Sequence, residues 1–399
     1  MSLYLNALGM VCPLGSTHEA IRARLLAGHS GLRADARYRD AQGAPLALGA
    51  VTDDTLLPAD DHLPLRERSR NNRLALAALE RIRPQVDAAI ARYGAERIGI
   101  VLGTSTSGIA EGEAAFAARA ASGRFPSGYH YGQQELGSPA AALQLTLGTS
   151  GPAYVQSSAC ASSGKAIASA ARLLNMGLCD AVLCGGVDTL CEFTISGFTA
   201  LESVSSERCN PLSLHRCGIN IGEGAALFLL TRERAPVRLS GWGESSDAYH
   251  ISAPDPEGRG AQLAIGQALR RAGLNAAQID YINLHGTATA QNDAMESRVV
   301  QALFGLEVPV SSTKPFTGHT LGAASAIEAG LCWLLMQDDN PHGLLPPHLW
   351  DGVADPALPP LAPVKVGQCL GRPLQHVLSN SFAFGGSNVA LVFSREENA

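Results

Sequence analysis

The chain of 399 residues is long enough to bury a large core, either as two domains or as one duplicated body. Apolar residues make up 46% and charged residues 17%, which excludes a disordered chain, and a net charge of −6 is too mild to argue for nucleic-acid binding. Nine cysteines without a C-x-x-C pair argue against a zinc site or disulfide scaffold.

The first residues, MSLYLNALGMVCPLG, lack the basic segment of a signal peptide, and no apolar run approaches the roughly 20 residues of a membrane helix. A cytoplasmic location and no membrane association are expected. LRERSRNNR (65–73) then places Arg66, Arg68, Arg70 and Arg73 within one or two helical turns. Such a run reads as a solvated helix face or as a docking surface for an acidic partner. The helical stretch NRLALAALERI and its extension AIARYG lead into the strand and turn IGIVLGTST (98–106). In VQSSACASSGKAIASAARLL (155–174) a strand ending in serines runs through a tight turn into a small-residue helix.

A boundary is expected near TRERAPVRL (231–239), where charge and proline interrupt the apolar strand AALFLL. It divides the chain into residues 1–235 and 236–399. The second part repeats the first. AQLAIGQALRRAG precedes YINLHGTAT (281–289), and VSSTKPFTGHTLGAASAIEAGLCWLL (310–335) again goes from strand through turn to small-residue helix. Two echoes in one order predict an internal duplication, and strand–helix alternation predicts an α/β fold with partly parallel sheets. Residues 338–373 are Pro-rich and read as loop. The strand HVLSN, the glycine turn FAFGGSN and the strand VALVF close the chain.

Cys160 stands alone among alanine, serine and glycine in SSACASSG (157–164). At a strand-to-helix turn a thiol meets the positive helix end, which favours thiolate, and free N–H groups there can hold an oxyanion. Small neighbours keep the turn tight and let a substrate reach the sulfur. A cysteine packed at a helix start as a small hydrophobe gives the same pattern, and that reading suits Cys179, Cys184, Cys191 and Cys332. Two of eleven histidines fall in the repeated motifs, His285 in NLHGTAT and His319 in FTGHTLGAAS. At a helix start His319 is expected to stay neutral. His18, His62, His342 and His348 read as ordinary surface or core residues. Lys314 lies between strand and helix, where a buried charge needs a partner, and Glu328 on the next helix is the candidate. Gly385 and Gly386 in NSFAFGGSN mark either a plain hairpin or a mobile loop, in which the Phe384 N–H completes an oxyanion hole and its ring forms a gate.

Together SSACASSG, NLHGTAT, STKPFTGH and NSFAFGGSN resemble, in order and spacing, the β-ketoacyl-acyl-carrier-protein synthases of the two-histidine type, over nearly the whole chain. The resemblance implies the thiolase fold, with duplicated α/β halves in a layered α-β-α-β-α body. It implies that Cys160 takes an acyl group as a thioester, and that malonyl-carrier protein then loses CO₂ and attacks it. His285 and His319 would stabilise the enolate oxygen as neutral donors, each worth about 10²–10³ in rate. Lys314 would orient them, paired with Glu328, and Thr287 and Thr289 would bind the pantetheine arm. No metal or dissociable cofactor is implied; the implied partners are an acyl carrier protein and a second subunit. That subunit is either a copy or a chain-length-factor-like protein.

Four positions depart from the family pattern. Ala290 replaces a proline and Asn292 a glycine; Ala383 replaces a glycine, which is expected to stiffen the loop; and Ile219 replaces a phenylalanine in NPLSLHRCGINIGEGA. NNRLALAALERIRPQVDAAIARYG, VLGTSTSGIAEGE, GESSDAYHISAP and LSNSFAFGGSN are similar to the ketosynthases of bacterial aryl polyene clusters. That resemblance implies extension of an aryl-primed, conjugated acyl chain. A saturated fatty-acid synthase and a catalytically silent partner subunit are the alternatives.

Overall fold

A computed structural model describes residues 2–40 and 43–396. The chain opens with the apolar strand β1 (Tyr4–Val11) and helix α1 (His18–Leu26), whose N-cap Thr17 accepts from the Ala20 N–H. Strands β2 (Arg33–Arg39) and β3 (Pro45–Leu48) form a separate antiparallel hairpin. The long stretch read as helical is two helices, α2 (Arg70–Glu80) and α3 (Arg83–Tyr93), with Pro84 in the first turn of α3. A proline lacks the N–H that would continue α2, so the break falls just ahead of it. Next come β4 (Ile98–Gly103), α4 (Ile109–Ser122), α5 (Ser138–Leu147), β5 (Ala153–Gln156) and α6 (Ser162–Asn175). Strand β6 (Ala181–Asp188), α7 (Glu192–Ala200) and β7 (Gly224–Thr231) follow.

The remainder runs β8 (Val237–Ser246), α8 (Arg259–Ala272), β9 (Tyr281–Leu284), α9 (Ala290–Phe304) and β10 (Pro309–Ser312). The short α10 (Lys314–Thr317) and α11 (Ala324–Leu335) precede a loop region broken by the two-residue strand β11 (Ala362–Pro363). Strands β12 (His376–Ala383) and β13 (Ser387–Arg395) end it.

The main sheet has the order β11-β10-β9-β12-β13-β8-β1-β7-β6-β4-β5. From its centre outward, β1-β7-β6-β4-β5 and β8-β13-β12-β9-β10 are the same arrangement. In each, the pairs next to the centre are antiparallel and the outer ones parallel. The two runs meet at a single pairing, Tyr4 with Arg238.

Strand alternation sends one set of side chains inward and one outward. Val182, Cys184, Phe228, Val377, Val389 and Leu391 pack with α6 and α11 into a central core. Leu183, Leu227 and Ile100 face α2 and α5, while Ile282, Leu378 and Val392 face α8 and α9. Helices, sheet, helices, sheet and helices are the five layers, an α/β arrangement. Parallel strands present their C-terminal ends on one side. The turns after β4, β5, β9 and β10 therefore converge, and those turns carry the sequence motifs.

Candidate active site

Cys160 lies two residues ahead of α6, just after Ala159 at φ +48°. A left-handed alanine costs about 1–2 kcal/mol and needs local support. Ser162 supplies it, accepting from the Ser158 N–H at 2.8 Å and donating to the Ala159 carbonyl at 2.6 Å. The small helix residues also answer to packing. A Cβ on Gly164 would lie 2.7 Å from Val389 Cγ1 and 3.1 Å from the Ser325 side chain, where α6 crosses α11.

The sulfur is buried, and burial pushes its thiol up to about 11. Lys314 and the N–H groups of Phe384 and of Cys160 itself pull the other way. The thiolate expected from the helix end is thus corrected: desolvation outweighs the helix end, and the resting group is a thiol.

His319 Nε2 lies 3.0 Å from Cys160 Sγ, and its Nδ1 accepts from the Leu321 N–H at 3.1 Å. A ring nitrogen that accepts carries no proton, so Nε2 bears the hydrogen. His285 is fixed likewise: its Nδ1 faces Lys314 Nζ at 3.3 Å, and an ammonium can only donate. The rings stand 5.5 Å apart at 88°. Burial first, and then Lys314, hold both imidazoles well below their ordinary range; His319 adds to the effect on His285. Neutrality thus comes from desolvation first and then from the lysine. Lys314 Nζ donates to Glu328 Oε1 at 2.5 Å, with both side chains buried.

The turn at His285 has a support that the sequence reading missed. Glu296 on α9 accepts from the His285 and Gly286 N–H groups, each at 2.7 Å, and burial pushes it up to about 7. Its signal was faint, an acid eleven residues after the histidine on the buried face of a helix. Two departures also find their places here. Ala290 is the first residue of α9, where helix geometry suits alanine as well as proline. Asn292 is buried and donates to Asp293 and Glu296 at 3.3 Å.

Cys160, His285 and His319 open into one pocket. Thr287 and Thr289 line it with hydroxyls 2.9 Å apart, and Ile219, Phe198, Ala383 and Phe384 form its apolar side. The Phe384 and Phe198 rings pack against each other, with centroids 5.5 Å apart. Ala383 sits at φ −100°, an ordinary extended conformation that alanine adopts without strain. The left-handed positions are Gly385 at +78° and Gly386 at +71°.

The arginine run does not share one helix face. Arg66 lies in a 3₁₀ turn ahead of α2, and its side chain is 57% exposed. Arg68 bonds the Leu63 and Asp61 carbonyls, and Arg73 those of Pro58 and Leu57. Arg70 is held by buried Glu223 at 2.8 Å and by Asp54 at 2.7 Å.

The sulfur and a nitrogen of each histidine lie within 4.8 Å of one another, a spacing that would also suit a metal ion. The donor set does not fit one, because both Nε2 atoms carry hydrogens and a buried ammonium stands 3.3 Å from His285. The pocket presents hydrogen-bond donors to developing negative charge. Among the described residues, no helix is long and apolar enough to cross a membrane.

Residues 5–235 match the family model "Beta-ketoacyl synthase, N-terminal domain", and residues 237–349 match "Beta-ketoacyl synthase, C-terminal domain". A 3-oxoacyl-[acyl-carrier-protein] synthase 2 from Synechocystis sp. is 30% identical, covering 98% of this chain and 97% of the relative. Nodulation protein E from Rhizobium sp. is 32% identical, with 98% of each covered. Among solved structures, the ketosynthase ApeO, in complex with its chain length factor ApeC from Xenorhabdus doucetiae, is 48% identical. It has a TM-score of 0.89 and coverage of 99% of this chain and 98% of that one. With both family models matched in order around a pocket that joins one thiol to two neutral imidazoles, this chain belongs to the β-ketoacyl synthase family of condensing acyltransferases.

Proposed function

We propose that this chain extends an aryl-primed, polyenoyl chain by decarboxylative condensation with malonyl-carrier protein, through a thioester on Cys160. One observation carries the chemistry: a buried sulfur and two imidazoles, each held as an Nε2–H donor, face one pocket. In the first half-reaction Cys160 sulfur attacks the carrier thioester, its proton leaves with the carrier thiol, and the acyl group stays on sulfur. The N–H groups of Cys160 and Phe384 take the oxyanion. In the second, malonyl-carrier protein loses CO₂, and the electron pair of the broken C–C bond becomes an enolate. His285 and His319 donate to its oxygen, while Lys314, paired with Glu328, keeps His285 oriented. The enolate carbon attacks the acyl thioester, and collapse expels Cys160 sulfur as thiolate, which takes up one proton from solvent.

Thr287 and Thr289, at the pocket wall, receive the pantetheine arm, and Phe384 with Gly385 and Gly386 forms the gate. Malonyl and acyl groups arrive on a carrier protein, and Arg66, the most exposed of the run, contributes to docking. The repeated strand order supports reading residues 1–235 as the half with the nucleophile and 236–399 as the half with the histidines. The partner subunit is a chain-length-factor-like protein, as in the ApeO complex and in the ishigamide ketosynthase/chain length factor, 26% identical with a TM-score of 0.88. The four stretches similar to aryl polyene ketosynthases, together with 48% identity to ApeO, favour the polyene substrate.

The 3-oxoacyl-[acyl-carrier-protein] synthase relatives favour a second reading, elongation of saturated fatty acids. Presence of the thiol and both histidines weighs against a silent subunit. Intact-mass analysis of the chain co-expressed with its carrier tests the choice. A retained aryl or polyenoyl group on Cys160 supports the proposal, and a retained saturated chain supports the alternative. No CO₂ release from malonyl-carrier protein by the native complex would remove both.

A further inference from the structure

The loop that carries His319 is tied to the first half of the chain through one carboxylate. Asp188, the last residue of β6, is fully buried. Its Oδ1 accepts from Thr104 Oγ1 at 2.5 Å, the Ser105 N–H at 2.8 Å, the Thr106 N–H at 2.9 Å and Thr106 Oγ1 at 2.8 Å. Its Oδ2 accepts from the Gly322 N–H at 2.5 Å, with a longer contact to the Ser105 N–H at 3.1 Å. Burial raises the carboxyl's pKa, and the hydrogen bonds from Thr104, Thr106 and Ser105 lower it.

The Gly322 end of this network touches the chemistry. Leu321 sits at φ +51°, a strained conformation for leucine, and its N–H is the one that occupies His319 Nδ1. The His319 backbone is anchored elsewhere, its N–H on the Asn220 carbonyl at 2.6 Å and its carbonyl on the Gly222 N–H at 2.9 Å. The ring's anchor and the ring's partner therefore have separate supports, and the partner's support is Asp188. Space at this seam is tight: a Cβ on Gly322 would lie 2.7 Å from Ser105 Oγ and 2.8 Å from Asp188 Oδ2.

We propose that Asp188 is a positioning residue: by holding the Gly322 N–H it fixes the strained Leu321 amide against His319 Nδ1, and so keeps Nε2 as the donor. It touches neither substrate nor sulfur. The inference rests on the decarboxylating role given to His319 above.

Asp188→Asn tests it. The amide oxygen can stay with the four donors at the Oδ1 position, while its NH₂ meets the Gly322 N–H, donor against donor. Acyl transfer to Cys160, read by intact mass, should stay within about threefold of wild type. CO₂ release from malonyl-carrier protein should fall at least about tenfold, short of the ~10²–10³ for deleting a donor outright. The ¹⁵N spectrum of His319 should lose its single Nε2–H signature. Gly322→Ala pushes the turn off the carboxylate without changing it, and should give the same split if Asp188→Asn does not fold. Thr104→Val, which loosens only the Oδ1 side, should leave the ratio of the two half-reactions unchanged. An equal fall in both half-reactions, or an unchanged His319 spectrum in a folded variant, would overturn the proposal. Wild type that releases no CO₂ would instead count against the functional reading, and the spectrum would still decide the role of Asp188.

Discussion

Replacing Lys314 with methionine separates two roles that the buried pair combines. The ammonium and Glu328 face each other at 2.5 Å with side chains 2% and 3% exposed, so neither has water to fall back on. Removing one member of such a pair leaves the other charge uncompensated, and Lys314→Met should lose about 3–5 kcal/mol of stability. Adding Glu328→Gln removes the stranded carboxylate and should restore most of that loss, since neutral groups of similar volume replace buried pairs at little net change. Activity should not return with stability. Lys314 also donates to His285 Nδ1 at 3.3 Å, a charge-assisted bond that at its usual strength holds the ring by about 1.5–3 kcal/mol. Released to rotate or change tautomer, His285 should cost decarboxylation about one to two powers of ten in both single and double variants. Lys314 also depresses the His285 pKa, so in the double variant the acid limb of the rate profile should move to higher pH. Urea unfolding measures the stability half, and CO₂ release from malonyl-carrier protein against pH measures the other. A double variant that decarboxylates at the wild-type rate would refute the orienting role outright.

Three further outcomes follow from the same geometry. Gly385→Ala should cost the loop about 1–2 kcal/mol from its left-handed φ. Gly386→Ala should cost more, because its Cβ would meet Asp247 Cβ at 2.8 Å; Ala383→Gly should be nearly neutral, and the order of acyl-enzyme formation rates checks all three. Arg66→Glu should raise KM for carrier-bound acyl groups and spare small thioesters. Arg70→Glu should destabilise the fold, because it sets a carboxylate against buried Glu223; equal kinetic effects from both reversals would contradict this division. His348 is buried, accepts from the Ser312 N–H and donates to the Pro211 carbonyl, and burial pulls its pKa down to about 4. Below an unfolded value near 6.5 the unfolded chain binds a proton that the fold refuses. Stability should therefore fall by about 1.4 kcal/mol per pH unit from this group, about 3 kcal/mol by pH 4. His348→Gln should flatten that part of the urea-measured slope, and an unchanged slope would show that the group does not titrate as described.

What could be read from the sequence was what repeats locally. Strand, turn and small-residue helix recur at Cys160 and again at His319 because each half must bring a helix against its own sheet. What could not be read was the identity of the long-range partners. Nothing near Arg70 shows that its guanidinium will meet Glu223 rather than a carrier protein, and nothing near Cys160 shows that burial will outweigh the helix end. The supports of the two histidine turns divide in the same way. Glu296 reaches back from the next helix within its own half, whereas Asp188 crosses from the other half, and only the assembled sheet brings it to Gly322. The strand order explains why that crossing exists. Two copies joined centre to centre along β1 and β8 point the C-terminal ends of their parallel strands at a shared seam. A sulfur from one copy and imidazoles from the other then reach one pocket, without a segment that spans both. Such a site requires fixed registration between the copies, and buried carboxylates that collect amides from several turns give that registration a direction that apolar packing lacks.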